Sequence, residues 1–280
     1  MARPQRPAQR PLRTIRVDRL NTTGKAGGRM DALLRLDRKL ALGGITAIVA
    51  VSWLYLWTSA ATMDHGTMAM DAMPRMQSPG ALLLTFVMWT VMMAGMMLPS
   101  ATPAILAYGS LVRKNGAHGR ILPGPWTFAA GYLSMWTLFS VAATLLQAAL
   151  EYAALLTPAM ATASAGLGVL ALIAAGIYQL TPLKHACLGK CRNPLQFFLT
   201  HWRLGPAGAF RMGLEHGAYC VGCCWVLMLL LFVTGVMNLL WVALIAAFVF
   251  VEKVFPGERL VTRVSSAALI LAGLFLLTRM

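Results

Sequence analysis

The chain has 280 residues, of which 58% are hydrophobic and 12% are charged, and its mean hydropathy is +0.67. A soluble domain of this length is about half apolar and about a quarter charged. The composition therefore excludes an ordinary soluble globular protein, and it excludes disorder over most of the length. A net charge of +15 is typical of proteins that bind nucleic acid, so the position of the basic residues along the chain has to be considered.

The first 40 residues form a basic segment that is rich in arginine, proline and glycine and poor in apolar side chains. We predict that residues 1–40 are a largely disordered cytoplasmic arm that lies on anionic lipid and orients the protein, in preference to a nucleic-acid-binding segment. The segment does not fit a cleaved secretory signal, because the first apolar run starts too late and is too long. Residues 41–280 are predicted to form the transmembrane domain.

Seven apolar windows follow, each long enough or nearly long enough to cross a bilayer. They lie at about 41–61, 80–98, 127–150, 163–182, 215–236, 239–252 and 264–279. The sixth window is short, and it becomes a span only if Met237 and Asn238 form a tight reversal. Pro99 and Pro103 are expected to end or bend the second span, with a helical continuation to about Val112.

The basic residues provide a test of the span count. If the N-terminus is inside, all but two of the 24 lysines and arginines fall on the inner side, and the exceptions are Arg75 and Arg279. The positive-inside rule requires such a bias, and six or eight spans would scramble it. The sequence thus predicts an all-α, polytopic helix bundle of about seven spans in a bacterial inner membrane, with the N-terminus inside and the C-terminus outside.

The first outer loop, Met63–Met76, is unusually rich in methionine. A loop has no core to fill, and thioether and imidazole groups together select Cu(I). Its candidate ligands are Met63, His65, Met68 and Met70. The alternative is an interfacial loop whose methionines rest on lipid.

The second span continues this methionine pattern. Met88, Met92 and Met96 follow the i, i+4, i+8 spacing that places them on one stripe of a helix, and Met93 and Met97 form a neighbouring stripe. The stripe is a candidate secondary metal path. The alternative is packing, because methionine readily fills helix interfaces.

All five cysteines lie in one stretch near the predicted inner face. The candidate metal ligands are His185, Cys187 and Cys191 after the fourth span, and His216, Cys220, Cys223 and Cys224 in the fifth. A reducing compartment disfavours structural disulfides, so thiols beside imidazoles indicate Cu(I), Zn(II) or redox chemistry. Neither spacing is that of a zinc finger. The alternative is that the cysteines are small buried hydrophobes, and Cys224 in particular could be a packing residue.

Two further patterns concern charges and motifs. Glu215 and Glu252 are expected to pair with Lys184, Arg211 or Lys253 rather than to catalyse a reaction.

The amphipathic segment from Asn193 to about Met212 is expected to lie in the inner interface and could cover the cysteine site. The chain has no Walker-type loop, no G-x-G-x-x-G and no H-E-x-x-H, so an enzyme is not expected.

Four stretches combine rare residues in a recognisable way. They are Met88–Pro99, Tyr178–Cys187 with Cys191, His201–Arg203, and His216–Trp225. Together they resemble a bacterial family of uncharacterised integral membrane proteins that are described as predicted metal-binding. The resemblance covers roughly residues 80–255. It implies metal binding through Cys, His and Met residues, and some relatives act in copper-handling contexts, which implies copper.

The leading functional hypothesis is that the protein handles copper(I) by binding, delivery or transport. The outer loop would collect the ion, the methionine stripe would conduct it, and the Cys/His site would receive it, with a periplasmic metal carrier or a membrane complex as partner. Zinc is the alternative metal. A thiol redox protein that uses Cys187 and Cys191 with Cys220 and Cys223, and a non-metal assembly subunit, are the alternative functions.

Overall fold

The computed structural model describes residues 21–64, 78–116, 124–156, 164–255 and 258–279. Within these ranges the chain is helical with short turns and has no β-strand, which confirms the all-α class. The helices are α1 (Asn21–Asp64), α2 (Pro79–Gly116), α3 (Pro125–Tyr152), α4 (Ala165–Gln179), α5 (Pro182–Arg192), α6 (Pro194–His201), α7 (Gly205–Leu229), α8 (Leu231–Thr234), α9 (Leu239–Val254) and α10 (Glu258–Leu277).

The number of helices able to cross a membrane differs from the prediction. By length and composition, five described segments could span a bilayer, and a sixth is possible if α4 and α5, which meet at an angle of 64°, count as one broken span. The sixth predicted window became α9, which has 16 residues. At 1.5 Å per residue such a helix is about 24 Å long, short of the roughly 30 Å hydrocarbon core. The seven-span count and the orientation therefore stay predictions.

Several predicted boundaries also shift. The helix of the second window runs from Pro79 to Gly116 with Pro99 and Pro103 inside it, so the expected helical continuation past the two prolines is present and extends beyond Val112. The fifth window starts earlier than predicted, since α7 begins at Gly205. Helix α1 is continuous across the predicted domain boundary at residue 40.

The core of the fold is built around α2. Trp89, Met92, Met93, Met96 and Met97 are each at most 1% exposed and belong to one cluster with aromatic residues of α3, α6 and α8. Methionine suits such a position because its flexible thioether fills irregular gaps between helices. Both methionine stripes are therefore buried inside the bundle.

Helices α3 and α7 cross at very short range, and glycine makes this possible. A Cβ atom at Gly213 would lie 2.0 Å from the carbonyl oxygen of Phe128, and one at Gly131 would lie 2.0 Å from that of Phe210. Small residues allow helix backbones to approach this closely. The crossing brings the first half of α7 against the first half of α3.

The bend between α4 and α5 turns the chain back onto α7. Thr181 caps α5 by accepting a hydrogen bond from the Lys184 backbone amide, and Pro182 occupies the first turn, where its missing N–H costs no hydrogen bond. The short helix α6 follows, and its Phe197 and Phe198 are fully buried. These two rings pack into the core, whereas Leu195 and Leu199 of the same helix are 59% and 82% exposed. The placement of the Asn193–Met212 segment in the inner interface stays a prediction.

Candidate metal centre

Helix α7 presents the second predicted cluster as one buried group. His216 is 3% exposed, and Cys220, Cys223 and Cys224 are each 1% exposed. The thiols of Cys223 and Cys224 both donate hydrogen bonds to the Cys220 carbonyl oxygen, each at 3.0 Å. These bonds orient both thiols toward the preceding turn of α7, where Cys220 lies.

Helix α5 adds the first predicted cluster to this group. The thiol of Cys191 contacts the thiols of Cys220 and Cys223. Cys187 packs beside them, since a Cβ atom at Gly222 would lie 2.8 Å from its sulfur. Thiols that are far apart in the sequence therefore meet at one place, which is a precondition for a shared metal site.

Cys220 is the most highly contacted sulfur of the cluster. Its Sγ atom lies 3.0 Å from the hydroxyl of Tyr132 on α3 and accepts a hydrogen bond of 2.8 Å from the ammonium group of Lys253 on α9. The same ammonium donates to the Ser100 hydroxyl at 3.2 Å. Helices α2, α3, α5, α7 and α9 thus all contribute to the surroundings of this sulfur.

His216 has the properties of a candidate ligand. Its ring packs against Phe128, Tyr132 and Phe197, one helical turn before Cys220. Its Nδ1 atom is buried and has no hydrogen-bond partner among the described residues. Buried polar atoms are normally paired, so an unpaired imidazole nitrogen beside thiols is available for a metal.

His185, the remaining member of the two clusters, is partly buried on α5, and the described contacts of the thiols do not include it. The methionine stripes approach the thiols at Met97. The Tyr132 hydroxyl, which lies beside the Cys220 sulfur, also donates a hydrogen bond to the Met97 carbonyl at 3.4 Å. His65, Met68, Met70 and the side chain of Met63 lie outside the described residues.

The described residues contain no group of three or more His, Cys, Asp or Glu side chains already arranged to hold a metal ion. The thiols instead interact with one another, with the Cys220 carbonyl and with Lys253. A soft metal binds the thiolate and not the thiol, so binding requires that protons leave and that the sulfurs turn toward a common point.

Beside the thiols lies a buried ion pair. The Lys184 ammonium and the Glu252 carboxylate are 2.6 Å apart with side chains 0% and 1% exposed, and Thr262 on α10 donates to the same carboxylate oxygen at 3.0 Å. A second ion pair lies on α7, where Arg211 pairs with Glu215 at 3.2 Å. Both pairs agree with the sequence-based expectation. The first ties α5, which carries Cys187 and Cys191, to α9.

Sequence reasoning did not find Tyr132, Lys253 and Ser100 as parts of the site. Tyr132 and Ser100 carry no sequence signal, because neither belongs to a spacing pattern that sets it apart from the other hydroxyl residues of its helix. Lys253 does carry a sequence signal, because a lysine at the end of an apolar run needs a partner for its charge.

One protein family model, described as PpoB2: Copper chaperone, matches residues 86–276, which is more than half of the chain. No curated protein and no solved structure matches the chain. The matched range contains both Cys/His clusters and the methionine stripes, and it excludes the methionine-rich loop. The match confirms the metal-related part of the resemblance noted in the sequence, and it does not bear on membrane integration.

Proposed function

The chain belongs to the PpoB2 copper chaperone family, and on that premise we propose that it holds copper as Cu(I) at the thiols of α5 and α7 and delivers it to a partner protein. The observation that carries the proposal is the contact of the Cys191 thiol with those of Cys220 and Cys223. Thiolate sulfur is the ligand that favours Cu(I) among the common biological metals.

The same proposal places the protein in a bacterial inner membrane. Five described segments are long and apolar enough to cross a bilayer, and large side chains such as Leu145 and Leu271 stay more than half exposed on their outer surfaces. Exposed apolar surface on this scale needs lipid or a partner to cover it. The copper site would then lie within the membrane-embedded bundle, shielded from water.

Delivery requires that the ion be bound firmly yet be released to a client. A site of thiols from two helices suits this requirement, because the sulfurs of α5 can separate from those of α7 while each helix stays intact. The methionines of α2 are proposed as a weaker path toward the site, since thioethers bind Cu(I) less tightly than thiolates do. We propose no enzymatic reaction for the protein.

The proposal is tested by titrating the detergent-purified, reduced protein with Cu(I) in competition with a chromophoric chelator. We expect one tightly bound ion in the wild type, and a loss of about 100-fold or more in affinity in Cys220→Ser and Cys191→Ser, since each removes a thiolate ligand. His201→Ala is the matched control, because this residue stacks on Phe197 and lies outside the thiol cluster. Unchanged binding in both serine variants would refute the site, and elemental analysis that finds zinc would refute the metal.

The close thiols also suit the second candidate, a thiol redox protein. The contact between Cys191 and Cys220 would allow a disulfide between α5 and α7. The two functions differ in their combined outcome: the redox function predicts a reversible disulfide, detected by mass spectrometry after alkylation, in a protein that binds no Cu(I).

A further inference from the structure

We propose that Lys253 is the charge-compensating residue of this site and that it sets the bound form to one Cu(I) ion between two thiolates. The inference rests on the proposed function, because it assumes that the thiols of α5 and α7 bind Cu(I). It assigns a role to a residue that is not itself a ligand.

Lys253 is a buried cation with an unusual partner. Its side chain is 7% exposed, and its ammonium group donates to the Cys220 sulfur at 2.8 Å and to the Ser100 hydroxyl at 3.2 Å. In the described part of the chain it forms no ion pair with a carboxylate. A buried ammonium without an anion is strongly unfavourable. The sulfur of Cys220, as a thiolate, is the anion that its surroundings provide.

The neighbouring carboxylate does not take this role. Glu252 precedes Lys253 on α9, but its carboxylate is bound by Lys184 at 2.6 Å and by Thr262 at 3.0 Å. Consecutive residues of a helix point about 100° apart, so the two side chains face different neighbours. Toward the thiols, the groups that interact electrostatically with Lys253 are Cys220, Cys223, Cys224, Tyr132 and His216.

The charges decide which complex is favoured in a water-excluded site. When Cu(I) binds, Cys220 coordinates as the thiolate that it already is, and the second coordinating thiol loses its S–H proton to the solvent; each sulfur forms one S–Cu bond, while copper keeps its oxidation state. Two thiolates with Cu(I) carry one negative charge, which the ammonium of Lys253 balances. Without that ammonium, the neutral complex is one thiolate with one uncharged ligand, and the unpartnered Nδ1 atom of His216 is available beside Cys220.

The inference is tested on the full-length protein with Lys253→Met, Lys253→Gln and Lys253→Arg. Lys190→Met serves as the matched control, because Lys190 is a partly buried lysine of α5 that has no described contact with the thiols. Cu(I) affinity is measured by chelator competition, and X-ray absorption at the copper edge reports the ligand atoms. Size-exclusion chromatography and circular dichroism establish that each variant is folded.

We expect two sulfur ligands in the wild type, in Lys253→Arg and in Lys190→Met. In Lys253→Met and Lys253→Gln we expect affinity to fall by about 10-fold to 100-fold, as for the loss of a hydrogen bond from a charged group. One nitrogen should then replace one sulfur. A purely structural lysine would not change the ligand atoms.

Two results would overturn the inference, and they are distinguishable. If the wild type binds no Cu(I), the proposed function fails and this inference fails with it. If the wild type binds Cu(I) while the neutral variants keep two sulfur ligands and bind within about threefold of it, Lys253 does not compensate the charge. In that case the proposed function is unaffected.

Discussion

Lys184 on α5 and Glu252 on α9 form a salt bridge of 2.6 Å in which both side chains are almost completely buried. Breaking a buried ion pair leaves an uncompensated charge, which costs about 3–5 kcal/mol. We therefore expect Lys184→Met to lower the free energy of unfolding by about that amount, as measured by denaturant titration in detergent. The double variant Lys184→Met with Glu252→Met should recover most of the loss, and a double variant as unstable as the single one would contradict this account.

The α3–α7 crossing gives a second prediction. In Gly213→Ala the new methyl carbon would lie 2.0 Å from the Phe128 carbonyl oxygen. The two helices must therefore move apart. Overpacking of this kind costs about 1–3 kcal/mol. It should also weaken Cu(I) binding, because it shifts Cys220 away from Tyr132.

The matched control for this substitution is Gly189→Ala on α5. A Cβ atom there meets nothing within 4 Å, and alanine favours a helix over glycine by about 0.5–1 kcal/mol. Unfolding measurements should therefore give opposite signs for the two glycine-to-alanine changes. Equal effects would show that the crossing is not limited by backbone contact.

The methionines of α2 can be tested for a role beyond packing. Met92→Leu and Met96→Leu conserve volume, so unfolding should change by less than about 1.5 kcal/mol. If the thioethers form a path, equilibrium Cu(I) affinity stays unchanged while loading of protein in sealed vesicles slows. Met228→Leu, a change at another fully buried methionine, should leave the loading rate unaltered. Wild-type loading in all three variants would assign these side chains to packing.

The order of thiol reactivity follows from burial. Cys187 and Cys191 are partly exposed, whereas Cys220, Cys223 and Cys224 are each 1% exposed. With a maleimide and mass spectrometry, we expect the α5 thiols to be labelled first in the metal-free protein, because access limits the reaction. Cu(I) should protect Cys191. Prior labelling of the α7 thiols would show that the bundle opens from another side.

The sequence predicted the helical class and the candidate ligands because both depend on local patterns. Long apolar runs require helices in which every backbone polar group is satisfied. The spacing of His216, Cys220 and Cys223 places them on one side of any helix. The span count does not follow from such patterns, because α9 has only 16 residues and α4 ends at a bend that the hydropathy of its window does not reveal.

The convergence of Cys191 with Cys220 could not be derived from spacing. It depends on the 64° bend between α4 and α5, for which Thr181 and Pro182 are the local signal, and on the long-range ion pair of Lys184. The proposed role of Lys253 likewise depends on tertiary structure, because the sequence left Glu252 open to several cations, and the structure pairs that carboxylate with Lys184.

Because the sulfurs are divided between α5 and α7, a peptide of a single helix cannot reproduce the whole thiol cluster. A peptide that spans α7 alone would keep three thiols and an imidazole, yet it would lack Cys191, the phenol of Tyr132 and the cation of Lys253. Such a peptide would present sulfur to metals in open water without charge balance. Short synthetic mimics should therefore bind thiophilic metals with little discrimination, because the proposed centre requires the assembled bundle.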